Sequence, residues 1–197
     1  MSLIQTTAPA VEPVSLSEAK AFLRVGHEHE DELIGRIVSA ARSIVEANTG
    51  RALIQRGFRE TLDGWSLTRL SACGTAFALL RPPLVSVEAV RVRDPAGALS
   101  LWDSDEYRID PEADPGRLIA RAPFAFLKPA PGPGGIEIEF TAGYGLASSD
   151  VPAPLRQATL AIAAQLYSDG QRAERAGRGD VVAAHQALLA PFRTVRL

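Results

Sequence analysis

The hydrophobic period changes twice along this chain, and that constrains the fold more than any single motif. From about Glu30 to Asn48, apolar residues recur at helical spacing in two adjacent rows: Leu33, Ile37, Ala40 and Ile44, then Ile34, Val38, Ala41 and Val45. Both rows are expected to face a core. Glu30, Asp31 and Glu32 suit the positive end of the helix dipole, and Asn48-Thr49-Gly50 supplies the stop. From Ala52 to Phe140 the helical period gives way to short segments rich in Val, Ile, Leu and aromatic residues, separated by Gly, Pro and Asp, which is how antiparallel strands read. After Asp150 the helical period returns. Pro152 and Pro154 are tolerated in a first turn, and Leu155, Ala158 or Thr159, Ile162 and Leu166 mark one face of a helix ending near Asp169-Gly170.

Local signals fill in the rest. Ser15-Leu16-Ser17-Glu18 is a capping box, and a short helix to about Arg24 carries Leu16, Ala19, Phe22 and Leu23 before Gly26 and the polar run His27 to Asp31 break the pattern. Val85, Val87, Ala89 or Val90, and Val92 lead into the turn Asp94-Pro95-Ala96-Gly97, with Leu99 to Trp102 as the returning arm. Tyr107 to Ile109, Arg117 to Ile119 and Ile136 to Phe140 read as further strands, and the strict alternation of the last predicts one wet face. Gln171 to Asp180 is charged and without apolar period, hence a surface loop, and a short helix from Val181 to Ala190 is ended by Pro191. The resulting fold class is α+β: a helical body of two N-terminal and one or two C-terminal helices, with an antiparallel β-rich insertion in the middle. Residues 1–197 are expected to form one domain, with an N-terminal helical part at 15–50, the β-rich insertion at 52–145, and closing helices and tail at 150–197.

Charge excludes one class of function. Lys and Arg number 21 against 23 Asp and Glu, so the net charge of -2 gives no electrostatic case for a dedicated nucleic-acid binder. The first two helices do not make a DNA-reading pair either. Between Glu12 and Asn48 seven acids face four bases, and the acidic start of the second helix would meet phosphates unfavourably. The lone Cys73 rules out a disulfide framework within the chain and fits a reducing compartment. Met1 to Val14 has no Lys or Arg and no signal-peptide core, and no stretch reaches the ~18 apolar residues of a membrane span, so a soluble cytoplasmic protein is expected.

Candidate chemistry is sparse. His27-Glu28-His29-Glu30-Asp31 is the densest cluster of ligand-type side chains, yet its two histidines are spaced i, i+2 rather than on one helix face, and His185 lies on another segment. A solvated loop serving the helix dipole is favoured over a metal site. No base neighbours Cys73 in sequence, there is no G-x-S-x-G elbow, and Pro131-Gly132-Pro133-Gly134-Gly135 lacks the Lys-Ser/Thr of a phosphate loop and reads as a turn. No catalytic residue, cofactor or metal is therefore expected. The rival reading is a small hydrolase-like enzyme using Cys73 or the His27/His29 loop, which would require a pKa-perturbed pair inside a concave pocket. The tail needs a different account. Pro191, Phe192, Arg193, Val195, Arg196 and Leu197 combine cations with apolar side chains, and they either fold back onto the domain or dock on a partner, with Phe192 and Leu197 as anchors and Arg193 and Arg196 pairing with acids.

A series of segments resembles a known family. Val14 to Val25 (VSLSEAKAFLRV), Asp31 to Ile34, and Val45 to Arg51 (VEANTGR) are similar to the opening of the head-tail connector, or adaptor, proteins of long-tailed bacteriophages and phage-derived gene transfer agents. Arg81-Pro82-Pro83, Tyr107 to Asp110, Phe140 to Gly145 (FTAGYG), Val151-Pro152 and Leu188 to Arg193 (LLAPFR) follow in the family's order. The resemblance implies a structural subunit with no catalytic residues and no cofactor. It implies a dodecameric ring beneath the portal protein, with tail-side connector or stopper proteins below and DNA passing transiently through. Assembly in the host cytoplasm and a final place in the particle neck are implied too, and the basic-apolar tail Pro191 to Leu197 is then expected to be the segment that docks on the portal. Near-neutral charge suits a ring through which DNA must slide.

Overall fold

The computed structural model describes residues 1–71, 74–121, 126, 128–171 and 186–193. Cys73, His185, the loop residues 172–180, Val181 to Ala184 of the expected last helix, and Val195, Arg196 and Leu197 lie outside the described residues. The fold is α+β. Its contacts divide the chain into two compact units: Met1–Ala8 with Gln55–Gly143, and Pro9–Ile54 with the described residues of Tyr144–Thr194.

The second unit is helical, with α1 (Leu16–Leu23), α2 (Asp31–Thr49), α3 (Ala153–Gln171) and the single turn α4 (Gln186–Leu189). The Ser15 capping box forms as expected: Ser15 Oγ accepts from the Glu18 amide at 3.2 Å while the Ser15 amide donates to Glu18 Oε2 at 2.8 Å. α2 stops at Gly50, whose φ of 76° places it in the left-handed region and whose amide returns to the Glu46 carbonyl at 2.9 Å. The two apolar rows of α2 both reach the core, but unequally. Ile34, Val38, Ala41 and Val45 are buried and Ile37 and Ile44 are half-buried against the main helical cluster, whereas Leu33 and Ala40 are exposed. The helices packed on α2 cover one stripe; Ala41 and Val45 join Leu155, Ala158, Ile162 and Ala163 of α3 in the main cluster. Ile34 and Val38 close a smaller cluster with Val14 and Ala19.

Among the described residues the first unit holds eight strands, β1 (Ser2–Gln5), β2 (Arg56–Leu62), β3 (Ala76–Ala78), β4 (Leu84–Arg93), β5 (Leu99–Leu101), β6 (Tyr107–Asp110), β7 (Arg117–Ala120) and β8 (Ile136–Ala142). They form a five-stranded sheet in the order β1-β2-β8-β4-β5 and a three-stranded sheet in the order β3-β7-β6, with every pairing antiparallel. β8 is central and alternates as predicted. Ile136, Ile138, Phe140 and Ala142 are fully buried, while Glu137 and Glu139 on the wetter face meet Arg59 and Arg91 at 2.7–3.8 Å. β1 has no counterpart among the expected strands. It is an exposed edge element whose place depends on pairing with β2, Ser2 opposite Thr61 and Gln5 opposite Phe58. β2 was equally hard to single out, because its buried face carries Arg56 and Glu60 beside Phe58 and Leu62, so polarity does not mark the inward side.

Beside the sheets, Trp102 is buried among aromatic rings: Tyr107 lies 5.2 Å from it, Phe126 5.7 Å and Trp65 6.0 Å. Its indole N–H donates to Glu106 at 2.7 Å, satisfying the one polar atom of an otherwise apolar body. Pro131 to Gly135 forms a turn, as expected, and the Gly134 amide donates to Asp63 at 2.9 Å. That bond holds the Asp63 carboxyl below its usual range.

Candidate functional site

The C-terminal segment is built from the helical core outwards. After α4, Ala190–Phe192 tightens into a 3-10 turn that places Pro191 at its start. Leu189 is fully buried in the cluster formed by α2 and α3, and Phe192 packs half-buried against the same cluster. Arg51, at the end of α2, donates from Nε to the Phe192 carbonyl at 2.7 Å. The chain is thus latched to its own unit as far as Phe192, with Pro191 exposed just before the latch and Arg193 exposed just after it. Of the residues expected to dock, Phe192 is engaged within its own unit, Pro191 and Arg193 face solvent, and Val195, Arg196 and Leu197 fall outside the described residues. Sequence reasoning missed Arg51. Its partner lies 141 positions away, and a cation after a helix-ending glycine gives no hint of it.

The His27/His29 loop is arranged differently from a metal site. The two imidazoles stack at 5.6 Å, and His27 Nε2 lies 3.6 Å from Glu30. Glu30 in turn accepts from the Tyr167 hydroxyl at 2.7 Å, and Lys20 reaches Asp31 at 2.5 Å, so the loop's acids tie α2 to α3 and α1. Among the described residues no three His, Cys, Asp or Glu side chains are grouped to hold a metal ion. No described helix is long and apolar enough to cross a membrane.

Two segments quoted for the family resemblance meet in space: the Gly143 amide donates to the Pro83 carbonyl at 2.9 Å, with Gly143 at a φ of 137° that favours glycine. Gly145 is needed for room, since a Cβ there would come within 2.2 Å of the Asp150 carboxylate, which caps the Ala147 amide.

A sequence profile described as "Phage gp6-like head-tail connector protein" matches residues 13–69. Over its whole length the chain is similar to a chain from the "Neck of empty GTA particle computed with C6 symmetry", at 31% identity and a TM-score of 0.79, covering 100% of this chain and 97% of that one. The chain belongs to the phage head-tail connector family. A chain from the "Virion of native gene transfer agent (GTA) particle" is 32% identical over the same shares with a TM-score of 0.78, and one from the "Neck of native GTA particle computed with C12 symmetry" is 31% identical with a TM-score of 0.72. No curated protein sequence matches it. This connector is a structural subunit, and the enzyme reading through Cys73 or His27 and His29 finds no support in its relatives.

Within the connector's helical unit, Glu18 joins the capping box to α3, accepting from Arg156 at 2.7 Å. The Ser15 amide and hydroxyl, helped by Arg156, hold its carboxyl below the usual glutamate range, against the opposing effect of burial. A depressed folded-state pKa contributes stability that is present above the unfolded value of ~4.3 and lost as pH falls through the folded one. Glu18→Gln retains the cap but not the charge. The stability difference between wild type and Glu18→Gln should therefore be constant near neutrality and vanish in acid; a difference that persists at the lowest pH would remove the charge from this account.

Proposed function

We propose that this connector forms a twelve-membered ring in the neck of a phage-like particle. The ring lies beneath the portal protein, takes tail-side connector or stopper proteins on its other end, and lets DNA pass through. It is assembled in the host cytoplasm and has no catalytic role. The observation that supports this reading is the end-to-end likeness, at 31% identity, to chains from gene transfer agent necks computed with C6 and C12 symmetry. A net charge of -2 suits it, because tight phosphate binding would stall DNA in the channel. The Arg51–Phe192 latch fixes where the chain leaves the helical unit, so Pro191, Arg193, Val195, Arg196 and Leu197 are presented from a defined point for docking on the portal.

Co-expression with the portal protein of the same particle, followed by electron microscopy, tests this. Wild type should appear as a ring stacked on one end of the portal; no association even at low salt would overturn the reading. Deleting Thr194 to Leu197 spares Leu189, Phe192 and the Arg51 bond, so the shortened chain should keep its helical circular dichroism yet no longer bind portal. Undiminished binding would overturn the docking role of the tail.

A further inference from the structure

A rotational ring repeats one contact, so each subunit must present two different and complementary patches. α2 carries an apolar patch on each flank. On one lie Leu33, at 42% exposure, and the exposed Ala40, beside Ile37 and Ile44, which are half-buried against the helical core. On the other is a groove of about 520 Å³ lined by Val11, Val14, Leu16, Gly35, Val38 and Leu146. Leu33 and Gly35 are two positions apart, so they project about 160° from one another around the helix.

Gly35 has no explanation within its own chain. It lies inside a long helix, where glycine is disfavoured relative to alanine, its backbone is not in the left-handed region, and a Cβ built there meets nothing within 4 Å. Three apolar side chains around it are also left open, Val11 at 42%, Leu16 at 39% and Leu146 at 66% exposure. Empty space above a helical glycine, walled by exposed apolar groups, is what a side chain arriving from outside requires. Glu12 in the groove wall is already paired with Arg42 of its own chain at 2.7 Å, so the groove offers an incoming side chain apolar contact rather than a free charge.

We propose that the occupant is a second copy of this chain: Leu33 of one connector enters the groove over Gly35 of the next, and repetition of this contact closes the ring. The inference rests on the ring reading above, and the experiment separates the two. Gly35→Leu puts a side chain into the groove from a position where a Cβ meets nothing within 4 Å, and Leu33→Glu spoils the row. Each variant, co-expressed with portal, should stay folded by circular dichroism and lose rings completely. Mixed together, they should give pairs and no rings, because only one competent contact remains. If wild type forms rings and both variants still do, this contact is overturned and the ring reading stands; if wild type forms none, the ring reading itself falls. Portal binding lost in Gly35→Leu but kept in Leu33→Glu would assign the groove to portal and overturn the proposal.

Cross-linking gives a second measure. In a Cys73→Ser background, Leu33→Cys combined with Leu146→Cys should yield a ladder of covalent oligomers with a short bismaleimide, and either cysteine alone should yield monomer. A dimer from Leu33→Cys alone would indicate a twofold contact and overturn the proposal.

Discussion

Replacing Arg69 with methionine should destabilise the β unit by about 3–5 kcal/mol, the usual cost of removing one member of a buried ion pair. Glu60 is fully buried in β2, on the face it shares with Phe58 and Leu62. Arg69 reaches it with both terminal nitrogens: Nη2 lies 2.9 Å from Oε2, and Nη1 meets Oε1. The same guanidinium donates from Nε to the Ala78 carbonyl at 2.8 Å and lies 4.3 Å from the centre of the Phe77 ring. Methionine would fill the volume but strand the carboxylate, and the β3 carbonyl would lose its donor. Trp65 and Trp102 are the chain's two tryptophans and both belong to this unit, so fluorescence-detected urea unfolding reads its stability directly. The double replacement Arg69→Met with Glu60→Met should recover most of the loss, since the stranded charge is then gone. A loss below ~1 kcal/mol in the single variant, as for an exposed pair, would mean that water reaches Glu60.

Leu189→Ala should cost the helical unit about 2–5 kcal/mol, the range for truncating a buried leucine. Leu189 has no exposed surface and belongs to the cluster with Val45, Leu53, Leu155 and Ile162. It is the deepest anchor of the short closing segment, and Phe192, three positions on, rests on the same cluster. Losing it should therefore loosen the Arg51–Phe192 latch as well as lower the midpoint of unfolding followed by helical circular dichroism. Portal capture should weaken in step, because the docking residues would leave from a poorly defined point. Unchanged stability and unchanged capture together would show that the closing segment contributes nothing to the unit's fold or to its presentation of the tail.

How much of this was legible beforehand depends on the range of the interaction. The Ser15–Glu18 cap, the Gly50 stop and the alternation of β8 each rest on contacts within a few positions, and each was read correctly from residues alone. The family was legible for a related reason: its segments follow one another in a set order, and the pairing of Gly143 with Pro83 gives two of those segments a physical reason to occur together. β1 was not legible, because four residues with one partly covered side chain have no pattern until β2 lies beside them.

The sequence by itself determined the helical periods, the caps, the β-rich middle, the near-neutral charge and the connector family, since all are written in local spacing and composition. Only the tertiary structure decided which row of α2 is fully covered, that Glu60 is buried against Arg69, and that Phe192 is held by Arg51. A helix of given amphipathicity can turn either flank of a wide apolar stripe inward, and the choice belongs to α1 and α3, which pack on it. A carboxylate in a strand is read as exposed until its cation arrives from another part of the chain. The latch joins residues 141 positions apart, and no local period can encode a contact at that distance.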